Sequence, residues 1–259
     1  MRVLALHSDV IVFISRVWQT TCTAVRSGAE GFVIDSPLYP DELEALPGVL
    51  EQAGYEVSGL IATHADWDHL LGRLAFPKAA LGLSEASAAR LSSEPGRAQR
   101  DLKRFDEDHY IPDRRPLSLA GAQTLPVPGK VALGRDQAHA LELELHEAAG
   151  HTADGTAIFI PWAGVLVAGD YLSPVEIPMV SGTGSLTAYV ATLQHLGVLV
   201  ERAETVVPGH GAPISRDQAL EILAEDLAYL NALPESPLPK DRRTARQRRI
   251  HAENLTRAR

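Results

Sequence analysis

Hydrophobic positions in the first third of the chain fall in short β-type runs. Residues 3–6, 10–14 and 21–26 are rich in branched and apolar side chains and lie only a few residues apart, which predicts antiparallel neighbours. Residues 31–35 form a further strand that ends in Asp35 and a Ser-Pro turn. The spacing then changes: Leu43, Leu46, Val49 and Leu50 recur at helical intervals, predicting a helix over 41–53 that Gly54 stops and Pro47 kinks or splits. Residues 57–63 read as a buried strand, 70–74 as the start of a helix, 84–108 as charged helical sequence, and 109–116, with two prolines, as a loop. A second β-rich stretch follows at 124–127, 130–133, 140–146, 156–160 and 165–168. After it come a helix over 186–200, a strand over 205–207 and a helix over 215–230 with Ser215 as N-cap.

Each half is therefore β-rich first and helical later. Two sheets packed face to face and covered outside by helices satisfy that order. The similar order of the halves hints at duplication. The predicted body spans residues 1–232. Residues 233–259 read as a Pro-rich linker and a basic helical tail with few apolar positions.

Composition narrows the class. At 259 residues and 45% hydrophobic content the chain can build a large core unaided. The single cysteine, Cys22, excludes an internal disulfide and fits a reducing compartment. No signal-peptide pattern opens the chain and no apolar run approaches the roughly 18 residues of a membrane span, so a cytoplasmic protein without membrane contact is expected. The net charge of −9 conceals a basic terminus: residues 240–259 hold eight Lys/Arg against two Asp/Glu. The rest is acidic, which argues against nucleic acid as a partner. The tail is expected to be solvated or to contact a second copy in a homodimer.

The candidate chemistry lies where strands end. Thr63-His64-Ala65-Asp66-Trp67-Asp68-His69 packs imidazoles and carboxylates into one loop after a strand. Gly150-His151-Thr152, Gly169-Asp170-Tyr171 and Gly209-His210-Gly211 place a Gly-flanked His or Asp after other predicted strands. Rigid scaffolds present functional side chains on such loops. One short loop cannot direct four donors at a single ion, so two ions are the natural division. His64, Asp66 and His151 would take one; Asp68, His69 and His210 the other; Asp170 would bridge them. Imidazole with carboxylate suits Zn²⁺, Fe or Mn. His7, His139, His146, His195 and His251 lack this context and read as surface or packing residues.

In order and context these signals resemble those of the metallo-β-lactamase fold superfamily, over about residues 1–230. The resemblance implies a four-layer αββα sandwich of two mixed sheets flanked by helices, a dinuclear site at one edge, and a supporting role for Asp35 behind the ligand loop. It also exposes a departure. The family pattern is His-x-His-x-Asp-His, and Asp66 stands where its second His belongs. An anionic oxygen donor there should harden the site, favour Fe or Mn relative to Zn, and raise the pKa of bound water. The flavodiiron branch has Glu at this place, but no flavodoxin-like domain is attached here. Zinc is the first expectation for the two divalent ions, with iron or manganese as alternatives.

The resemblance points to a hydrolase in which a metal-bound hydroxide attacks a small ester, thioester or lactone, as in the glyoxalase II-like and lactonase-like branches, with Asp68 orienting the nucleophile. An iron-dependent oxidoreductase and a nuclease or phosphodiesterase are the alternatives. For substrate binding, residues 97–116 suggest a lid or wall. Arg114 and Arg115 are candidates for a carboxylate, and Tyr110, Trp67 and Tyr171 for pocket walls.

Overall fold

The structure, a computed structural model, describes residues 1–134, 140–239 and 241–257; His139 lies outside them. Two mixed sheets form its centre. The first has seven strands in chain order, β1 (Arg2–His7), β2 (Val10–Ile14), β3 (Thr21–Ser27), β4 (Glu30–Asp35), β5 (Glu56–Ile61), β6 (Ala80–Ser84) and β7 (Gln123–Leu125). Strands β1 to β4 pair antiparallel, as their short connections require, and β4 to β7 pair parallel through helical crossovers. The second sheet is built from β8 (Gly129–Leu133), β9 (Leu141–Glu147), β10 (Thr156–Ile160), β11 (Val165–Gly169), β12 (Thr205–Pro208) and β13 (Ile214–Ser215). Its order is the reverse of the chain, with one parallel pair, β11 and β12.

The branched side chains that marked the strands meet between the sheets. Val10, Val12, Ile14, Val25 and Ile34 face Leu143, Leu145, Ile158, Ile160 and Val167, all buried. The outer faces are covered by helices. On the first sheet lie α1 (Pro40–Gln52), α2 (Gly72–Ala75), α3 (Glu85–Ser93) and α4 (Arg97–Asp108). On the second lie α5 (Leu186–Arg202), α6 (Arg216–Asn231) and α7 (Ala245–Arg257). This is the expected four-layer sandwich.

Three local readings change. Helix α1 continues through Pro47 instead of splitting, at the cost of one intrahelical hydrogen bond, because Leu43, Leu46 and Leu50 stay buried along one face. The helical stretch 84–108 divides at Pro95-Gly96, where Gly96 takes φ +74°. Strand β6 had no reading of its own. Its sequence, ALGLS, is short and lacks β-branched residues, and its position between two parallel neighbours makes it a strand.

The basic terminus is docked on the body. Ile250 joins the core formed by α5 and α6. Gln247 accepts from the Ile177 N–H at 2.8 Å, Asn254 accepts from the Val180 N–H at 3.0 Å and donates to the Pro178 carbonyl at 2.6 Å. Arg242 is buried and pairs with Asp226 at 2.6 Å. A solvated helix was expected because apolar positions are few; the groups that seat it are polar and buried.

Candidate metal centre

Five loops at one edge of the sandwich converge. Asp35 closes β4 with φ +58°, a conformation uncommon outside glycine. Its carboxylate accepts from the Thr63 N–H at 2.8 Å and the Thr63 hydroxyl at 2.9 Å, which fixes the first residue of the ligand loop. The Thr63 carbonyl accepts from the Thr156 N–H at 2.7 Å, so the same residue ties the two sheets together. His69 and Asp68 project from a single 3₁₀ turn over Trp67–His69. Two glycines are required by close approach. Gly150 has φ +141° and a Cβ there would lie 2.3 Å from the Tyr189 Cα; at Gly209 it would lie 2.1 Å from the Asp170 carboxylate. Behind His210, Trp18 and Gln19 adopt φ +53° and +52°, and this strained turn presents the Trp18 carbonyl to the ring.

The donors group as the sequence divided them. His64, Asp66 and His151 form one set and Asp68, His69 and His210 another, the ligand atoms of each lying within 4.8 Å of one another. In the first set the inner Asp66 oxygen is 3.6 Å from both His64 Nε2 and His151 Nε2. In the second the Asp68 carboxylate is 3.8 Å from His69 Nε2 and 3.7 Å from His210 Nε2. Asp170 lies between them. Its carboxylate is 3.9 and 3.3 Å from the first-set nitrogens of His64 and His151, and 3.2 and 3.4 Å from those of His69 and His210.

Each ring is aimed by its other nitrogen. His151 Nδ1–H donates to the Met179 carbonyl at 2.7 Å. His69 Nδ1 pairs with Asp35 at 3.0 Å, His64 Nδ1 meets the Thr63 hydroxyl at 3.1 Å, and His210 Nδ1–H donates to the Trp18 carbonyl at 3.2 Å. Every Nε2 is thereby turned into the cleft. Nε2 of His64, His69 and His151 and Oδ1 of Asp170 are buried with no hydrogen-bond partner among the described residues. Buried polar atoms are rarely left so, and converging imidazole and carboxylate donors suit divalent cations. The residues therefore fit a pair of such ions.

Electrostatics agree with ionised carboxylates. Burial opposes the charge of Asp170 and of Asp66, yet the surrounding histidines hold both carboxyls well below the usual range. Burial likewise opposes protonation of His210, but Glu176 and Asp170 push its pKa up to about 9.

Two residues of the site are not singled out by the sequence reading. Arg90 of α3 forms an ion pair with Asp66 and a second, at 2.9 Å, with Asp154. Asp154 is buried and accepts from the Ala65 N–H at 2.8 Å. Its position three residues after His151 was the available cue.

The proposed substrate residues scatter. Trp67 packs against Trp18 and Phe105 beside the ligand loop. Tyr171 is buried, with its hydroxyl accepting from the His151 N–H and donating to the Ala148 carbonyl, so it braces the loop that carries His151. Tyr110 is 94% exposed. Arg114 is buried against Asp106 and the Leu38 carbonyl, and Arg115 donates to the Leu74 carbonyl.

A sequence profile of the metallo-beta-lactamase superfamily matches residues 15–210, a span that includes every donor above from His64 to His210. The chain belongs to this superfamily. Solved metallo-beta-lactamase structures share its fold. A metallo-beta-lactamase family protein from Thermus thermophilus is 23% identical with a TM-score of 0.67, covering 88% of this chain and 83% of that one. A metallo-beta-lactamase from Pontibacter korlensis is 18% identical with a TM-score of 0.64, covering 89% and 98%. The DIM-1 metallo-beta-lactamase, in a crystal exposed to ceftazidime, is 16% identical with a TM-score of 0.62, covering 89% and 96%. No curated protein matches the sequence. At these identities the likeness carries the metallo-beta-lactamase fold and not a substrate. Fold and donor cluster together support a metal-dependent hydrolase.

Proposed function

We propose that this metallo-beta-lactamase superfamily member is a dinuclear, zinc-dependent hydrolase of small esters, thioesters or lactones. The observation that carries the reading is the position of Asp170, within 3.9 Å of a nitrogen from all four clustered histidines, where one carboxylate can serve two ions. A bound pair of divalent ions would supply Lewis acidity and a water of lowered pKa. The protein's part is arrangement. Asp35, Met179 and Trp18 fix the rings, and Asp68 would accept a hydrogen bond from the attacking water. Asp68 and Asp170, with Asp66 shared with Arg90, would offset part of the charge of two such ions, and the balance left over would favour an oxyanion in the transition state.

A small, partly apolar acyl substrate suits the rim. Trp18 and Trp67 meet edge to face at 5.8 Å beside the site, and Arg246 of α7 lies 4.4 Å over the Trp18 ring, anchored by Glu176 at 3.0 Å. Two of the terminal arginines, Arg242 and Arg246, are committed to acidic side chains of the body, which favours a small molecule over nucleic acid. A carboxylate at position 66 gives the iron-dependent oxidoreductase its one supporting feature.

The test is metal analysis of protein purified without added metal, followed by thioester, lactone, phosphodiester and β-lactam substrates. The expected result is about two zinc ions per chain and turnover of an ester-class substrate. Stoichiometric iron without hydrolysis would overturn the proposal in favour of redox chemistry, and preferred cleavage of the phosphodiester or the β-lactam would reject the substrate class.

A further inference from the structure

The carboxylate at position 66 does not act alone. Its outer oxygen is ion-paired with Arg90 Nη2, while its inner oxygen points between His64 and His151 at 3.6 Å from each. The Arg90 side chain is nearly buried and its Nη1 is held by Asp154 at 2.9 Å. Asp154 is in turn locked by the Ala65 N–H at 2.8 Å and the Ser87 hydroxyl at 2.9 Å. The guanidinium is thus fixed by the body of the protein and not by Asp66 alone. Its fork is divided between two carboxylates, Nη2 to Asp66 and Nη1 to Asp154, and this ties the outer Asp66 oxygen to a fixed donor.

We propose that Arg90 is a positioning residue for the first metal set. It restricts Asp66 to a single-oxygen donor and offsets its charge, so that Asp66 with Arg90 presents to the ion what a neutral imidazole would. The proposal rests on the metal-centre reading above. It reverses the expectation drawn from Asp66 in isolation: the first set keeps a zinc-type balance of charge, and the hardening that favours manganese or iron is suppressed. It also makes positions 66 and 90 one unit. Replacing Asp66 by His alone would leave a nearly buried guanidinium facing a cation, opposed by Asp154 and, at 3.8 Å, by Glu94.

The experiment measures zinc and manganese affinity of the apo-protein by competition with a chromophoric chelator, together with thermal melting of each apo-variant and the visible spectrum of the cobalt-loaded form. Arg90→Met is expected to lower the ratio of zinc to manganese affinity at one site by about tenfold, within the range for loss of an outer-layer partner, and to alter the cobalt bands. Arg90→Lys, which keeps the charge, should hold the ratio within about threefold of wild type while losing some absolute affinity. Asp66→His should bind zinc more weakly than Asp66→His/Arg90→Met. A purely structural Arg90 would lower the melting temperature of both Arg90 variants and leave the affinity ratio and cobalt bands unchanged; that result would overturn the proposal, as would equal zinc affinity of the single and double Asp66 variants. Should Arg90→Met fail to fold, Arg90→Gln read against Arg90→Lys makes the same comparison. Failure of the wild-type protein to bind either ion would reject the metal-centre reading itself, an outcome distinct from an unchanged ratio in a protein that binds both.

Discussion

Arg242 allows the docking of the C-terminal helix to be measured. Its guanidinium is buried, pairs with Asp226 at 2.6 Å and Glu225 at 3.1 Å, and donates to the Glu176 carbonyl at 2.8 Å. Arg242→Met keeps most of the stem and removes the charge. Asp226, buried on α6, is then left without its cation. Breaking one side of a buried ion pair costs about 3–5 kcal/mol, and at about 2–4 °C per kcal/mol for a chain of this size the melting temperature should fall by roughly 6–20 °C. The loss should depend on pH. Burial already pushes the Asp226 pKa up to about 7 even though Arg242 pulls it down, and removing Arg242 raises it further. The unfolded-state value is about 3.9, so above it the native state binds more protons than the unfolded state and stability falls as pH rises through that window. The variant should therefore be closest to wild type near pH 5 and furthest from it near pH 8. Arg242→Met/Asp226→Leu should recover most of the loss at pH 8, because an apolar pair of similar volume replaces a buried ion pair at little net cost. Thermal unfolding followed by circular dichroism across pH 5–8 reads all three proteins. A loss of less than about 1 kcal/mol for the single variant, or a double variant as unstable as the single one at pH 8, would refute the view that this buried pair seats the terminus.

Other substitutions address the site directly. His151→Ala should lose metal at the first donor set and activity with it while the melting temperature of the apo-protein stays close to wild type; metal analysis showing wild-type content would reject a ligand role. Asp35→Ala removes the acceptor for the Thr63 N–H and hydroxyl and the partner of His69 Nδ1. Metal affinity measured by chelator competition should drop about 10–100-fold, with a stability loss of at least about 1–3 kcal/mol for the orphaned buried donors. Gly150→Ala sets a Cβ against the Tyr189 backbone at 2.3 Å in a conformation with φ +141°. Its soluble yield and melting temperature should fall sharply, and wild-type melting would mean that the 148–155 loop relaxes without cost.

How much of this was readable in advance follows from what each feature depends on. Strands announced themselves where branched residues fill both faces of a buried sheet, as in β2, β3 and β10. Strand β6 and the docked terminus did not, for related reasons. The first is small-residue sequence made into a strand by its neighbours, and the second is held by Arg242, Gln247 and Asn254, polar groups that a hydrophobic pattern counts as surface.

The same division runs through the site. His64, Asp66, Asp68, His69, His151, Asp170 and His210 were legible because each stands on a loop just after a predicted strand, several of them flanked by glycine, and the structure draws them into one cleft. Arg90 was not, because nothing in the helix Glu85–Ser93 reveals which residue its packing carries over the loop. The substitution of Asp for His could be seen in the sequence, but its consequence could not. Read alone, Asp66 adds a negative charge to the first donor set. Read with Arg90 and Asp154, that charge is already engaged before any ion is considered. The donor strength of a ligand carboxylate depends on its other oxygen as much as on the one facing the metal.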